Sequence, residues 1–365
     1  MIPLAKPIIE KKDIENVVKV LKSGMLVQGE QVKEFENRIK NVCGSTYAVA
    51  TNSGTAALHT ALYAIGIQPG DEVITVPFTF IASANVIRMV GATPVFVDID
   101  EHTYNIDPQL IEKAITKKTK AIIVVNLFGQ PASFKEINKI AKRNKIIVIE
   151  DAAQSINADY KKKKSGNLAD ISCFSFYATK NIITAEGGMI TTNNKKYYER
   201  AKLFRHHGQS EEKKYAYVDI GYNYRMTNIS AALGLAQFDR LDKITKRRQQ
   251  IAKKYDKAFK DIKGLKIPYI DDNCISVYHQ YTLRVTKDFK LTRDELKKYL
   301  EKKEIGSAVF YPISLNHFKH LFEKDNTKNF FPISEKASHE VLSIPIHPAL
   351  KNFEIDFIIE TIKNI

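Results

Sequence analysis

Tyr47-Ala-Val-Ala-Thr-Asn-Ser-Gly-Thr-Ala-Ala-Leu-His-Thr-Ala-Leu-Tyr-Ala-Ile-Gly66 carries the change of period on which the fold turns. Tyr47-Ala50 reads as a buried strand, a polar turn follows, and from Thr55 the apolar positions recur at helical spacing to Ile65. The same strand-then-helix reading repeats downstream: Glu72-Val76 then Ile81-Val90, Pro94-Val97 then Pro108-Ala114, Ala121-Asn126 then Phe134-Arg143, and the strand Ile146-Glu150. This alternation predicts an α/β layer on a mostly parallel sheet flanked by helices. Ile171-Tyr177 and Gly188-Thr192 read as further strands around a polar turn, Ala178-Glu186. A helix over Asn228-Arg240 passes into a long charged helix, Asp242-Phe259. Beyond it Val277-Val285 and Ala308-Tyr311 read as strands, with helices at Thr292-Lys303, Ser334-Val341 and Asn352-Ile362. A length of 365 residues suits about two domains. The change of pattern divides the chain into a large domain over residues 1–240 and a smaller α+β domain over 241–365.

Composition removes several classes of function. With 44% hydrophobic and 27% charged residues the chain is neither disordered, collagen-like nor a coiled coil. No run approaches the roughly 20 apolar residues of a membrane span. The opening Met1-Ile-Pro-Leu-Ala-Lys-Pro-Ile-Ile-Glu10 and the charged residues after it do not make a secretory signal, so a cytoplasmic protein with no membrane partner is expected. Cys43, Cys173 and Cys274 stand far apart without CxxC spacing, so neither a disulfide framework nor a metal site is expected. A net charge of +15 invites a nucleic-acid reading, but most lysines recur singly or in pairs on helical segments such as Lys253-Lys263 and Lys297-Lys303, the mark of solvated faces. The one dense run, Lys161-Lys164, falls where a strand-to-strand turn is expected and has no interleaved aromatics, so no nucleic-acid partner is expected.

Thr51-Asn-Ser-Gly-Thr55 sits where a strand ends and a helix begins. Glycine lets the backbone approach an anion, while hydroxyls and free helix N-terminal amides bind phosphate oxygens, which makes Gly54 and Thr55 candidate phosphate contacts. The same residues also make an ordinary helix N-cap. The pattern is neither GxGxxG nor a Walker sequence, which weighs against dinucleotide and NTP sites. Ile146-Ile-Val-Ile-Glu-Asp151 is an apolar strand that ends in two carboxylates. In a parallel sheet that end faces the ligand crevice, so Asp151 is a candidate ligand contact, or else a helix cap or a surface ion pair. Lys180 lies between a strand and the glycine-bearing Ala185-Glu-Gly-Gly188, a turn that lets an amine point inward. In order, strand-Ser-Gly-Thr-helix, strand-Asp-x-x-Gln and Ser-x4-Lys are the parts that a pyridoxal phosphate site needs. They supply an amine for a Schiff base, a carboxylate that keeps the pyridinium nitrogen protonated, and a loop with a serine for the phosphate.

Together with Gly70-Asp-Glu-Val-Ile-Thr-Val-Pro-Phe-Thr-Phe80, Glu150-Asp-Ala-Ala-Gln154, Ser175-Phe-Tyr-Ala-Thr-Lys-Asn181, Gly221-Tyr-Asn-Tyr-Arg-Met226 and Ser343-Ile-Pro-Ile-His-Pro348, these motifs resemble the DegT/StrS family of nucleotide-sugar aminotransferases. The family belongs to the fold-type I pyridoxal 5'-phosphate enzymes, and the resemblance spans essentially the whole chain. It implies that Lys180 bonds to the cofactor aldehyde and that Asp151 pairs with the ring nitrogen. It further implies that Gln154 contacts the ring hydroxyl, that Gly54, Thr55 and Ser175 hold the phosphate, and that Phe80 stacks on the ring. Asn223 is expected to reach the phosphate of a neighbouring subunit, which makes a homodimer with shared active sites the working unit. Arg225 offers a fork for the donor's α-carboxylate, and Tyr311 and His317 lie where relatives contact sugar nucleotide. Two departures stand out: Asn316 replaces a histidine of many relatives, and Tyr177 replaces a histidine frequent in the Ser-x4-Lys motif.

The implied reaction moves an amino group from L-glutamate to a nucleotide-linked keto-sugar, with Lys180 as general base, to make an amino-sugar for surface polysaccharide. A sugar dehydratase of the same family is disfavoured, because the related 3-dehydratases carry histidine where Lys180 stands and the iron-sulfur type needs a cysteine cluster. A non-catalytic regulator or nucleic-acid-binding protein on the same fold is disfavoured by the intact Lys180, Asp151 and Gln154. Ile275-Ser-Val-Tyr-His-Gln-Tyr-Thr-Leu-Arg284 looks like members acting on UDP-linked 3-keto N-acetylhexuronates. Thr179-Lys-Asn181 with Glu186-Gly-Gly188 looks like members acting on 4-keto-6-deoxy sugars, so amination at C3 and at C4 both stay open.

Overall fold

The computed structural model describes residues 1–210, 213–322 and 330–365. At its centre is a seven-stranded sheet in the order Tyr47–Thr51, Gly188–Thr192, Ile171–Ser175, Ile147–Asp151, Thr119–Val125, Glu72–Thr75, Thr93–Phe96. The strands from Ile171–Ser175 to Thr93–Phe96 pair in parallel, and Gly188–Thr192 runs antiparallel to both its neighbours. This is the mostly parallel mixed sheet that the strand-helix alternation predicts. Side chains alternate across it with a period of two, so neighbours in one strand enter different cores. Ala121 and Ile123 pack with Ala57, Ala61 and Leu62 of the helix Gly54–Ile65. Ile122 and Val124 pack with Phe134, Ile137 and Ala141 of the helix Phe134–Asn144 on the other face.

A second, antiparallel sheet joins Leu265–Lys266, Tyr281–Val285 and Val341–Ile344. The helices Leu241–Phe259, Arg293–Lys302 and Asn352–Lys363 bury Tyr255, Leu296 and Ile355 with Leu283 and Ile344 in a core of its own. The first residues of the chain are strapped onto this part. The Ile2 main-chain N–H donates to Glu304 O at 2.7 Å, Gly306 N–H donates to Ile2 O at 2.8 Å, and His347 Nε2 lies 3.1 Å from Pro3 O.

Several elements differ from the sequence expectation. The strand expected over Val277-Val285 begins only at Tyr281, because the preceding residues bond to a turn of the large sheet instead. Val277 N–H donates to Gly129 O and Gln280 N–H to Phe128 O, and Tyr278 takes a φ of 44°. Ala308-Tyr311 contributes a single bridge, Ala308 to Ser343, rather than a strand. The helix expected to reach Val341 stops at Glu340, and the buried run Val341–Ile344 pairs with Tyr281–Val285 as a strand. The lysine run does turn: Lys161 and Lys162, with φ of 49° and 66°, make the two-residue connection between Asp159–Tyr160 and Lys163–Lys164. The second strand of that hairpin is the last two lysines themselves.

Candidate active site

The carboxyl edge of the large sheet gathers the residues with chemistry, as strand direction requires. Pairing sets Asp151 beside Val125 and Cys173, and sets Gly188 opposite both Ser175 and Thr51. Thr51 runs into Ser53, whose hydroxyl accepts the Ala56 N–H at 3.1 Å and caps the helix Gly54–Ile65. The amides of that helix N-terminus therefore open onto the same edge as Asp151 and Ser175. Between this edge and the smaller sheet lies a cleft of about 660 Å³. Gly54, Thr55, Phe80, Asp151, Gln154, Ser175, Lys180 and Tyr311, eight of the residues singled out in the sequence, line it together.

Gly54 is required by packing: a Cβ there would fall 2.7 Å from the Ser175 Cβ. Asp151 is only 5% exposed. Its Oδ2 accepts the Ser83 hydroxyl at 2.8 Å and its Oδ1 accepts the Ala153 N–H at 3.2 Å. Burial pushes its carboxyl above the usual range, while those two bonds and the charge of Lys180 pull it back. Lys180 is half-buried, and burial pushes its ammonium down to about 8 against the opposing pull of Asp151. The neighbouring carboxylate, Glu150, points away from the cleft and serves the fold. It is fully buried and accepts Asn126 Nδ2 at 2.8 Å, Ser165 Oγ at 2.6 Å, Ser172 Oγ at 2.7 Å, Gly166 N–H at 3.0 Å and Leu168 N–H at 3.3 Å. Of two adjacent acids, then, one braces the loop after the strand and one faces the cleft.

Gln154 ties the cleft floor to its wall. Its Oε1 accepts the Phe128 N–H at 2.8 Å, and its Nε2 lies 3.4 Å from the Tyr311 hydroxyl. Phe80 is 55% exposed at the cleft, with its ring 6.3 Å from that of Tyr311. Three expected residues stand apart from this chain's cleft. Asn223 is exposed on the segment that bonds back through Tyr224 O to the Asn52 N–H at 2.8 Å. Arg225 holds His206 through Nη1 at 2.5 Å from Nδ1. His317 places Nε2 2.7 Å from Glu335 Oε1.

Other cleft residues went unassigned in the sequence. Ser83 sits within the first turn of the helix Ala82–Met89, reads as a capping or core hydroxyl, and reaches Asp151 only through the fold. Arg248 lies on the charged helix Leu241–Phe259 yet is 4% exposed and donates to the carbonyls of Tyr278, His279 and Ile346 at 3.1, 3.1 and 2.6 Å. A signal was present: Ile244, Arg248, Ile251 and Tyr255 form one apolar stripe at helical spacing with a cation in it. His279 and Gln280 also line the cleft, and nothing in their local pattern separates them from strand residues.

A lysine, a buried carboxylate and a helix N-terminus at the carboxyl edge of a mostly parallel sheet, under a smaller antiparallel sheet, define a fold-type I aminotransferase. The sequence profile of the DegT/DnrJ/EryC1/StrS aminotransferase family matches residues 7–363, and the chain belongs to that family. It is similar to the UDP-2-acetamido-2-deoxy-3-oxo-D-glucuronate aminotransferase of Pseudomonas aeruginosa, at 39% identity covering 98% of this chain and 96% of that one. It is similar also to the GDP-perosamine synthase of Escherichia coli O157:H7, at 38% identity covering 99% and 97%. Among solved structures it matches a proposed sugar aminotransferase from Streptococcus pneumoniae in its PLP form, with a TM-score of 0.93 and 33% identity over 100% and 98% of the two chains.

Proposed function

We propose that this chain is a pyridoxal 5'-phosphate-dependent transaminase that takes the amino group of L-glutamate and passes it to a nucleotide-linked keto-sugar, at C3 or C4. The single observation that carries the reading is Lys180 facing the same cleft as buried Asp151, its ammonium pushed down to about 8. The cleft fits the cofactor. The close approach of Gly54 to Ser175 leaves the helix N-terminus and a hydroxyl converging on one anion site. The exposed ring of Phe80 offers a stacking face, and Asp151 supplies a carboxylate for a ring nitrogen. When bound, pyridoxal phosphate supplies the aldehyde and the electron sink that make the donor α-hydrogen acidic.

In this reading Gly54, Thr55 and Ser175 hold the phosphate, Gln154 the ring hydroxyl, and Asp151 the proton on the ring nitrogen. Lys180, as the neutral amine, would take the α-proton of glutamate and, as the ammonium, give a proton back, and would run these transfers in reverse for the keto-sugar. Tyr311 contacts the sugar nucleotide from the cleft wall, His317 contacts the part of it that extends beyond this chain's cleft, and the +15 charge favours its pyrophosphate. The working unit is a homodimer in which Asn223 serves the phosphate, and Arg225 the donor carboxylate, of the opposite protomer. The exposed Tyr215, Tyr217, Val218 and Ile220 beside that segment make an apolar surface suited to such contact. In the same reading the chain divides into a large domain over residues 1–240 and a smaller one over 241–365, a division supported by the start of the helix Leu241–Phe259. Among the described residues no helix is long and apolar enough to cross a membrane, and a cytoplasmic site of action is part of the proposal.

The test is spectroscopic. The protein supplied with pyridoxal phosphate is expected to show the visible band of a lysine-bound cofactor, and L-glutamate is expected to convert it to the pyridoxamine form. Lys180→Ala is expected to lose both the band and turnover. No band in the unaltered protein would sink the cofactor assignment.

A further inference from the structure

Two nitrogens in the cleft lack partners, and they lie on adjoining segments. Among the described residues Lys180 Nζ has no hydrogen-bond or ion-pair partner, and the nearby Asp151 oxygens are engaged by Ser83 and Ala153. His279 is 7% exposed, and its Nδ1 is sealed from water without a partner. A buried polar nitrogen in that state costs free energy unless a donor or acceptor arrives to meet it. The two segments are tied together: Asn181 Nδ2, next to Lys180, donates to Val277 O at 3.3 Å, two residues before His279.

The backbone around His279 is held firmly in a conformation that costs energy. Tyr278 sits at a φ of 44°, the left-handed region that an aromatic L-residue enters only under constraint. Arg248 grips the Tyr278 and His279 carbonyls, and Ser276 Oγ accepts the Tyr278 N–H at 3.1 Å. Gln280 N–H is fixed on Phe128 O at 3.3 Å. These bonds settle the backbone and hold the buried imidazole on the lining of the cleft that also holds Lys180.

We propose that His279 is a positioning residue for Lys180: its neutral imidazole accepts, through Nδ1, a hydrogen bond from the Lys180 amine whenever that amine is not covalently engaged, and so fixes where the base stands. Neutrality follows from the surroundings. Burial, Lys180 and Arg248 all push the imidazole well below its ordinary value. The other charged and titratable groups on the cleft are the carboxylates of Asp151 and Glu186 and the phenols of Tyr177 and Tyr311. The sign is decisive. A neutral acceptor stabilises the ammonium and raises the midpoint of Lys180, whereas a protonated imidazole would lower it.

The inference rests on the reading of Lys180 as the base, but its test does not need turnover. Trace acetylation of Lys180, read by mass spectrometry from about pH 6 to about pH 10, reports the amine's protonation in the full-length protein supplied with pyridoxamine phosphate. His279→Phe is expected to lower the midpoint by about one pH unit, about tenfold more free amine at a given pH below it. His279→Asn, whose Oδ1 can stand near the position of Nδ1, is expected to restore it, and His279→Gln is not. An unchanged or raised midpoint in His279→Phe overturns the proposal. If that variant does not fold, equal midpoints for the Asn and Gln variants overturn it instead. Absorption of bound cofactor in the same samples separates the two readings: its absence refutes the cofactor assignment, while the acetylation midpoint still decides the pairing.

Discussion

Lys180 and Asp151 share one cleft, and burial moves each toward its neutral form: the ammonium down to about 8, the carboxyl upward. A solvated lysine would be almost wholly protonated at neutral pH and useless as a base. With Lys180 at about 8, the active neutral amine forms as pH rises through that value. The rate of glutamate deamination at saturating donor is therefore expected to climb through about pH 8 and then level, and a flat profile across that range would place the base elsewhere. Glu150 shows the opposite use of a buried acid. Five donors converge on its two oxygens, and an amide in its place would turn an N–H₂ group toward some of them. Glu150→Gln is expected to cost about 3 kcal/mol of stability, read as a lower urea midpoint with an unchanged slope.

At the scale of elements, the central strands of the large sheet were legible because they are buried on both faces and carry apolar runs such as Ala121-Ile-Ile-Val-Val125 and Ile147-Val-Ile149. Strand direction pointed to Asp151, whereas Gly54 and Lys180 were singled out by the turns that carry them and by the resemblance of the ordered motifs. What could not be read depends on partners distant in sequence. Val277 leaves its expected strand for the carbonyl of Gly129, and Val341 leaves its helix for a pairing with Arg284. Neither carbonyl nor partner strand leaves a trace in the local pattern. Arg248 was hidden for a different reason: a lone cation on an apolar stripe is easily averaged into the many solvated lysines around it. The tight join between the capped helix and the strand end gives a direct check. Gly54→Ala forces the helix N-terminus and Ser175 apart, and is expected to weaken pyridoxal phosphate binding at least about tenfold by absorbance titration and to lower thermal stability as well.

At the scale of the whole molecule, Asn223 and Arg225 matter most, since neither lines this chain's own cleft. If they serve a second protomer, two dead variants can repair each other. Lys180→Ala and Asn223→Ala, unfolded and refolded together, are expected to regain up to about one-quarter of wild-type activity, since half the dimers formed would be mixed and each would hold one intact site. No recovery from chains that demonstrably exchange would mean that each cleft is complete in itself.

The strap at the start of the chain gives the molecule a gauge. Leu4 and Ala5 form part of the cleft wall, while Ile2 is pinned to Glu304 and Gly306 just beyond it. A ligand that fills the cleft is expected to press on that short tether and damp its fraying. The amides of Ile2 and Gly306 are then expected to exchange with deuterium more slowly as the cleft fills. That change needs no chromophore and no product, so candidate sugar nucleotides can be ranked by how firmly they hold down the strap.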